Sequence, residues 1–171
     1  MGNPTMTQDV AREISRENTP DNRVVTHLQR EVANAFILYT NYKHYHWQTY
    51  GPLFRDLHKL FDEFAAETLA TIDEMAERIR MIGQDPVSTP RQFEETASVK
   101  ASTKPKTMRE MVEEADLNLL GVIRNMRGAV KDAEEEGDPG TVDLLSKSLQ
   151  IHEKHEWFLR EILKKRDGLV A

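Results

Sequence analysis

Four long segments of the chain carry apolar residues at three- and four-residue steps, and turn or capping residues separate them. The first two segments meet at Gly51-Pro52, and Pro52 is expected to open the second segment. The third begins at Thr107, which can form a capping box with Glu110, and the fourth begins at Asp138-Pro139. Because these steps match the 3.6-residue period of an α-helix, each segment is predicted to form a long amphipathic helix.

The connections between the segments predict how the helices are arranged. Tight turns join the first helix to the second and the third to the fourth, so the helices of each pair should be antiparallel. Residues 83–107 are rich in Pro, Ser and Thr, with one short helix predicted after Thr89-Pro90. A crossover of this length can return along the bundle and make helices two and three parallel. The predicted fold is therefore all-α, a ferritin-like four-helix bundle with one long crossover.

The same pattern predicts the domain boundaries. We expect a mobile N-terminal tail over residues 1–18, a single bundle over 19–167 and a short C-terminal tail over 168–171. A chain of 171 residues is long enough for one such domain. It has no apolar run long enough to span a membrane and no signal-peptide core at its start, so we expect a cytosolic protein without membrane contact.

Composition limits the chemistry that the chain can perform. Cysteine is absent, which excludes disulfides, thiolate metal sites and cysteine nucleophiles. Any metal must be held by histidine and carboxylate side chains, a donor set that suits iron, manganese or zinc. The formal net charge of −6 favours attraction of cations and argues against a protein that binds nucleic acid over its whole surface.

The second helix carries two pairs of metal-binding residue types. His58 and Asp62 are four residues apart, and so are Asp73 and Glu77, so each pair shares a helix face. Asp62 and Asp73 are separated by about three helical turns, which puts both pairs on one stripe, about 16 Å apart. Since metal–ligand bonds are about 2 Å long, one ion cannot touch both pairs of a single helix.

A second copy of the helix can bring the two pairs together. When an antiparallel copy is placed across a two-fold axis, one register brings Asp62 opposite Asp73. The same register brings His58 opposite Glu77, and the two-fold axis creates the site twice. His46, near the end of the first helix, can reach the level of His58 as a fifth ligand. We therefore infer an inter-subunit metal site, with small residues between the pairs that allow close approach: Ala65, Ala66 and Ala70.

These residues allow two other interpretations. The charges could form a dimer face of salt bridges, but Asp62 opposite Asp73 is a like-charge contact that is unfavourable unless a cation bridges it. The pattern could also belong to an intrachain di-iron oxidase, in which Glu-x-x-His motifs bind metal within one bundle. No histidine of this chain follows a glutamate at that spacing, so an intrachain di-iron centre is not expected.

One run of residues carries a family resemblance: His46-Trp47, Gly51, Phe54, Leu57-His58, Phe61-Asp62 and the segment Asp-Glu-Met-Ala-Glu-Arg over 73–78. In this run, and in its helix plan from about residue 20 to 166, the chain resembles the Dps family, the DNA-protecting mini-ferritins of starved cells. The resemblance implies that three ligands come from one subunit and two from its two-fold mate. The first three are His46, His58 and Asp62, and the other two are Asp73 and Glu77.

The resemblance also implies an activity and an assembly. Twelve chains would form a hollow shell. The reaction would be a ferroxidase reaction at a two-iron inter-subunit centre, where Fe(II) is oxidised, preferably by hydrogen peroxide, and ferric oxide is then stored inside. Zinc or manganese could take the place of iron at such a centre.

Weaker signals lie around these ligands. Trp47 follows His46 and, by the resemblance, would lie beside the centre as a candidate electron donor, although packing of a large aromatic side chain is the plainer interpretation. Three further histidines are candidates for an auxiliary metal site, although surface or capping roles would also explain them: His44, His152 and His155.

An acidic cluster follows the third helix. Charged runs of this kind are usually solvated, but near a three-fold axis of a closed shell they could draw Fe(II) inward. The candidate residues for this route are Glu134, Glu135 and Asp138.

DNA binding is expected to be weak or absent. A shell needs exposed cationic arms to contact phosphates, whereas residues 1–20 carry one more acidic than basic side chain. The alternative function is a DNA-condensing structural protein of stressed cells, in which metal binding is incidental.

Overall fold

A computed structural model describes residues 22–164, and these residues form five helices without a strand. This confirms the all-α prediction. The predicted tails over 1–18 and 168–171, and the bundle limits at 19 and 167, lie outside the described residues. The helices are α1 (Asn22–Gln48), α2 (Phe54–Met81), α3 (Pro90–Thr96), α4 (Met108–Glu135) and α5 (Pro139–Leu163).

Local hydrogen bonds explain where the helices begin. At the start of α4, the Thr107 hydroxyl accepts from the Glu110 amide, and the Glu110 carboxylate accepts from the Thr107 amide, which completes the predicted capping box. The start of α2 was predicted two residues too early, at Pro52. The chain first closes a turn in which the Phe54 amide donates to the carbonyl of Gly51, a glycine with φ of +79°, and α2 begins only at Phe54.

Helix α1 runs antiparallel to both α2 and α4. At one end of α1 the Tyr45 hydroxyl donates to Glu114 at 2.7 Å, and at the other end His27 lies 2.7 Å from Asp132. A short turn returns α2 along α1, so α2 and α4 are parallel to each other, as the long crossover predicts. None of the described helices is long and apolar enough to cross a membrane.

The crossover is attached to α1. Phe36 of α1 stacks on Phe93 of α3 with ring centroids 4.0 Å apart. The buried Asn34 side chain accepts from the amides of Ser98 at 2.8 Å and Val99 at 3.2 Å, which satisfies polar groups that would be costly to bury unpaired. Because α3 packs on α1 and not on α2, the crossover leaves the outer face of α2 uncovered.

Two histidines lie in the centre of the bundle. His152 and His155 of α5 are both 0% exposed. The His155 ring stacks on Phe64 with centroids 3.9 Å apart, and its Nε2 lies 2.8 Å from the Glu67 carboxylate. Burial lowers the pKa of His152 to about 3 and that of His155 to about 4, so both rings are neutral near pH 7.

Acid should therefore destabilise the bundle. Because the folded-state pKa of both histidines lies below the usual 6.5, the unfolded chain binds more protons once the pH falls below 6.5. The free energy of unfolding should fall by about 1.4 kcal/mol per pH unit for each histidine, until the folded-state pKa is reached. Urea unfolding of metal-free protein at fixed concentration should show a shallower pH dependence in His152→Leu than in the unsubstituted chain. Equal pH dependence in both would contradict this explanation.

Candidate metal centre

Two histidine rings from α1 and α2 lie face to face. Their centroids are 3.6 Å apart, and each Nδ1 faces the backbone carbonyl of the other residue. The distances are 2.7 Å from His46 Nδ1 to the His58 oxygen and 2.9 Å from His58 Nδ1 to the His46 oxygen. Since a carbonyl oxygen only accepts, each Nδ1 carries the proton and each Nε2 carries a lone pair. Such bonds fix the tautomer and orientation of metal-binding imidazoles.

Asp62 lies beside these rings on the surface of α2. Its side chain is 56% exposed, and its Oδ1 lies 2.6 Å from the Lys43 ammonium. The hydrogen bond from Lys43 is the main reason that the pKa of Asp62 is lowered, with further contributions from His46 and His58. The carboxylate is therefore charged at neutral pH and already engages one cationic group.

Lys43 is a residue of this site that the sequence did not predict. It lies three residues before His46, which places both on one face of α1, but the sequence contains no pattern that pairs it with α2. Its ammonium occupies one of the positions from which a metal ion could approach Asp62. A bound cation must therefore share the carboxylate with Lys43 or displace it.

Asp73 and Glu77 lie further along α2, and both are exposed. The structure brings His46, His58 and Asp62 to one end of the face and leaves Asp73 and Glu77 at the other end. Within the described chain, no group of three histidine or acidic side chains has the geometry to hold a metal ion. A single chain therefore presents two separate groups of candidate ligands.

Between the two groups of candidate ligands, the exposed side chains of α2 include small and apolar ones. Ala66 and Ala70 are exposed, and Leu69 between them is 45% exposed. Ala65 differs from its predicted position, because it is buried in the core of its own bundle. Only two of the three alanines therefore remain for a helix–helix contact on this face.

The remaining sequence candidates lie in different environments. Trp47 is 69% exposed, with the Lys43 ammonium 5.9 Å from its ring centroid. The His44 ring neighbours Tyr45, whereas the α1 ring beside His155 belongs to Tyr42, so the structure does not bring His44 to the two buried histidines.

The acidic candidates at and after the end of α4 also lie in different environments. Glu134 and Glu135 are exposed. Asp138 is buried, where it caps α5 by accepting from Thr141 and is bound by Arg78 at 2.5 Å. Both oxygens of Asp138 are engaged within the chain, so its position favours a structural role over contact with passing iron.

Known proteins resemble this chain over most of its length. A sequence profile described as a ferritin-like domain matches residues 25–168. The DNA protection during starvation protein of Brevibacillus brevis is 34% identical over 137 residues, which make up 80% of this chain and 92% of that protein. The structure of Dps from Thermosynechococcus elongatus superposes with a TM-score of 0.86 and 47% identity, covering 91% of this chain and 99% of that one.

A third relative adds a description of the metal chemistry. The Dps protein from Vibrio cholerae is described as a member of a broad superfamily of ferritin-like diiron-carboxylate proteins. Its structure superposes with a TM-score of 0.78 and 29% identity, covering 82% of this chain and 89% of that one.

Removing the ammonium next to Asp62 should strengthen cation binding. We expect Lys43→Met to bind Zn²⁺ up to about fivefold more tightly, because an exposed ion pair that competes for the carboxylate is worth about 1 kcal/mol or less. Isothermal titration calorimetry at neutral pH measures the change. Lys59→Met is the matched control, since Lys59 is exposed on α2 and its substitution removes the same positive charge. Equal affinity in the two variants would show that Lys43 does not compete.

Proposed function

This chain belongs to the Dps family of ferritin-like proteins, and from that membership we propose that it is a ferroxidase and iron store. In this proposal, twelve copies form a hollow shell in the cytosol. Fe(II) is oxidised by hydrogen peroxide at sites between two-fold-related chains, and ferric oxide is deposited inside the shell. Iron is the substrate, and zinc or manganese ions can occupy the same ligands.

The observation that carries this proposal is the separation of ligands on one exposed face of α2. Asp62 lies at one end of the face and Asp73 at the other, about three turns away. An antiparallel copy of α2 would place each ligand group opposite the other, twice for each pair of chains. The exposed Ala66 and Ala70 would allow the helices to approach, and a cation would relieve the contact between facing aspartates.

The donor atoms suit this substrate. The Nε2 lone pairs of His46 and His58 would bind Fe(II), and the carboxylates would bind the Fe(III) product more tightly, because hard oxygen anions favour the higher charge. Two Fe(II) ions held side by side can give one electron each to one hydrogen peroxide molecule. With two protons, the peroxide becomes two waters and both irons become Fe(III), so no hydroxyl radical is released.

Two further residue groups have proposed roles in this reaction. When only one Fe(II) meets peroxide, Trp47 would supply the second electron; its neighbour Lys43 binds the ligand Asp62, which supports a position beside the site. The exposed Glu134 and Glu135 would attract Fe(II) towards the interior of the shell.

DNA condensation is the second candidate function, and the name of the Brevibacillus relative favours it. The net charge of −6 opposes it, because each chain of a shell would add to the repulsion of phosphates. We therefore propose that protection of DNA by this protein is chemical, through removal of Fe(II) and peroxide.

Loss of either ligand group should abolish rapid iron oxidation. Asp62→Ala and Glu77→Ala should each slow peroxide-dependent oxidation of Fe(II) at least about tenfold, the effect of losing even a supporting residue of a metal site. The measurement is the absorbance of ferric oxide after mixing. Glu63→Ala, which removes an exposed carboxylate next to Asp62, should behave like the unsubstituted chain. Undiminished oxidation in Asp62→Ala would reject the site.

Mixed shells test whether sites span two chains. In a dimer of Asp62→Ala with Glu77→Ala, one site has lost both residues and the other keeps both. Random mixing of equal amounts should therefore restore about a quarter of the unsubstituted rate, because about half of the dimers are mixed and half of their sites are intact. Mixed shells as inactive as the single variants would place the whole site within one chain.

DNA binding should be weak at physiological salt. In about 150 mM salt, we expect no stable gel-shift complex with duplex DNA, because the net charge is −6 and residues 1–20 carry no excess of basic side chains. A stable complex under these conditions would favour the DNA-condensing alternative.

A further inference from the structure

The centre of the bundle contains polar atoms that have no partner in the described chain. Among the described residues, six buried side-chain atoms make no hydrogen bond, and one of them, Asp116 Oδ1, belongs to α4. The other five belong to four residues of α1, α2 and α5: Tyr42 Oη, Thr68 Oγ1, His152 Nδ1, His152 Nε2 and His155 Nδ1. All four residues are 0% exposed. Buried polar atoms are nearly always satisfied, so a group of unsatisfied ones indicates a bound species.

The unpartnered atoms belong to neighbouring side chains on three helices. The His155 ring lies edge-on to the rings of Tyr42 and His152, with centroids 6.1 Å away in each case. Helices α2 and α5 are antiparallel, since Arg78 pairs with Asp138 while Glu67 pairs with Lys154. Thr68 follows Glu67 and therefore lies at the level of His152.

The protonation of His155 makes its inward nitrogen a lone-pair donor. The Glu67 carboxylate also pairs with the Lys154 ammonium at 2.9 Å, which favours its charged form. The charged carboxylate only accepts, so the proton of His155 is on Nε2, 2.8 Å from Glu67. Nδ1 is left with a lone pair inside the bundle. A carboxylate that binds the outer nitrogen of an imidazole is the usual support of a metal-binding histidine.

We propose that His152 and His155 bind a late first-row divalent metal ion, such as Zn²⁺, inside each bundle. The oxygens of Tyr42 and Thr68, with water, would complete its coordination. Zinc–nitrogen bonds of about 2.0–2.1 Å allow an ion between the rings to bond one nitrogen of each. Imidazole donors without a directly bound carboxylate suit zinc, copper or nickel and disfavour calcium and magnesium.

This site is independent of the proposed ferroxidase site. All of its donors come from one chain, and none is a ligand of the inter-subunit site. The bound ion would join α1, α2 and α5 at the middle of the bundle. Its binding should therefore raise the thermal unfolding temperature of the protein and should persist when the ligands on the outer face of α2 are removed.

The test uses assembled protein that carries His58→Ala, Asp62→Asn and Glu77→Gln, which replaces three of the five proposed inter-subunit ligands. Metal-free protein is equilibrated with Zn²⁺ and gel-filtered, and the metal content per chain is measured. We expect about one Zn²⁺ per chain to be retained. Adding Glu67→Gln, a change at a partly exposed residue, should weaken Zn²⁺ binding about 10–100-fold. Glu63→Gln, one turn earlier on α2 and exposed, is the matched control and should leave binding unchanged.

A core variant gives the second measurement. Adding His152→Leu to the same background should abolish both Zn²⁺ retention and the Zn²⁺-dependent rise in unfolding temperature, with the helix content checked by circular dichroism. If this variant fails to fold, the comparison of Glu67→Gln with Glu63→Gln decides alone. Absence of bound Zn²⁺ in the background protein, or binding unaffected by Glu67→Gln, would overturn the proposal and assign the unpaired atoms to bonds with water. Iron oxidation by the unsubstituted chain tests the ferroxidase proposal separately.

Discussion

The distance along α2 between its two groups of ligands constrains everything else about the site. A helix rises about 1.5 Å per residue, whereas a metal ion bonds ligands at about 2 Å, so residues three turns apart cannot share one ion. In the proposed inter-subunit site, the outer face of α2 must stay uncovered so that a second chain can supply the other ligands. The crossover makes this possible, because α3 packs on α1 and leaves that face exposed.

The chain holds its histidines in two contrasting ways. His46 and His58 donate from Nδ1 to backbone carbonyls at the surface end of the bundle, where water and neighbouring charges remain close. His155 donates from Nε2 to the Glu67 carboxylate from inside the core. In both arrangements one nitrogen is protonated and hydrogen-bonded while the other keeps its lone pair. The surface pair is combined with carboxylates that suit iron, whereas the buried pair offers imidazole nitrogens without a directly bound carboxylate, a donor set that suits a softer ion.

The electrostatic environment also differs between the surface histidine pair and the buried pair. Asp62 is exposed, and Lys43 favours its charged form. An incoming cation therefore meets a charged carboxylate, but it must compete with Lys43 for it. In the core, burial keeps the imidazoles neutral, and the nearest countercharge is Glu67 at the edge. A mobile substrate fits the first environment, since it must arrive and leave. A resident ion fits the second, because leaving would require the bundle to open.

The sequence by itself determined the helices and the spacing of their side chains. Helical period, capping and ligand spacing depend on residues within a few positions of one another, so the capping box at Thr107 and the shared face of Asp62 and Asp73 could be predicted. The sequence predicted turn geometry less well. The start of α2 lies two residues later than predicted, because the turn that begins at Gly51 includes those two residues. The crossover and the parallel course of α2 and α4 followed from loop length alone.

Only the tertiary structure decided which atoms meet between helices. The tautomers of His46 and His58 depend on carbonyls twelve residues away, and the contact of Lys43 with Asp62 spans nineteen. The same holds for the burial of His152 and for the bonds that engage Asp138 within the chain. These contacts depend on the rotation of each helix about its axis, which the packing of all the helices sets together, and no local pattern in one segment records it.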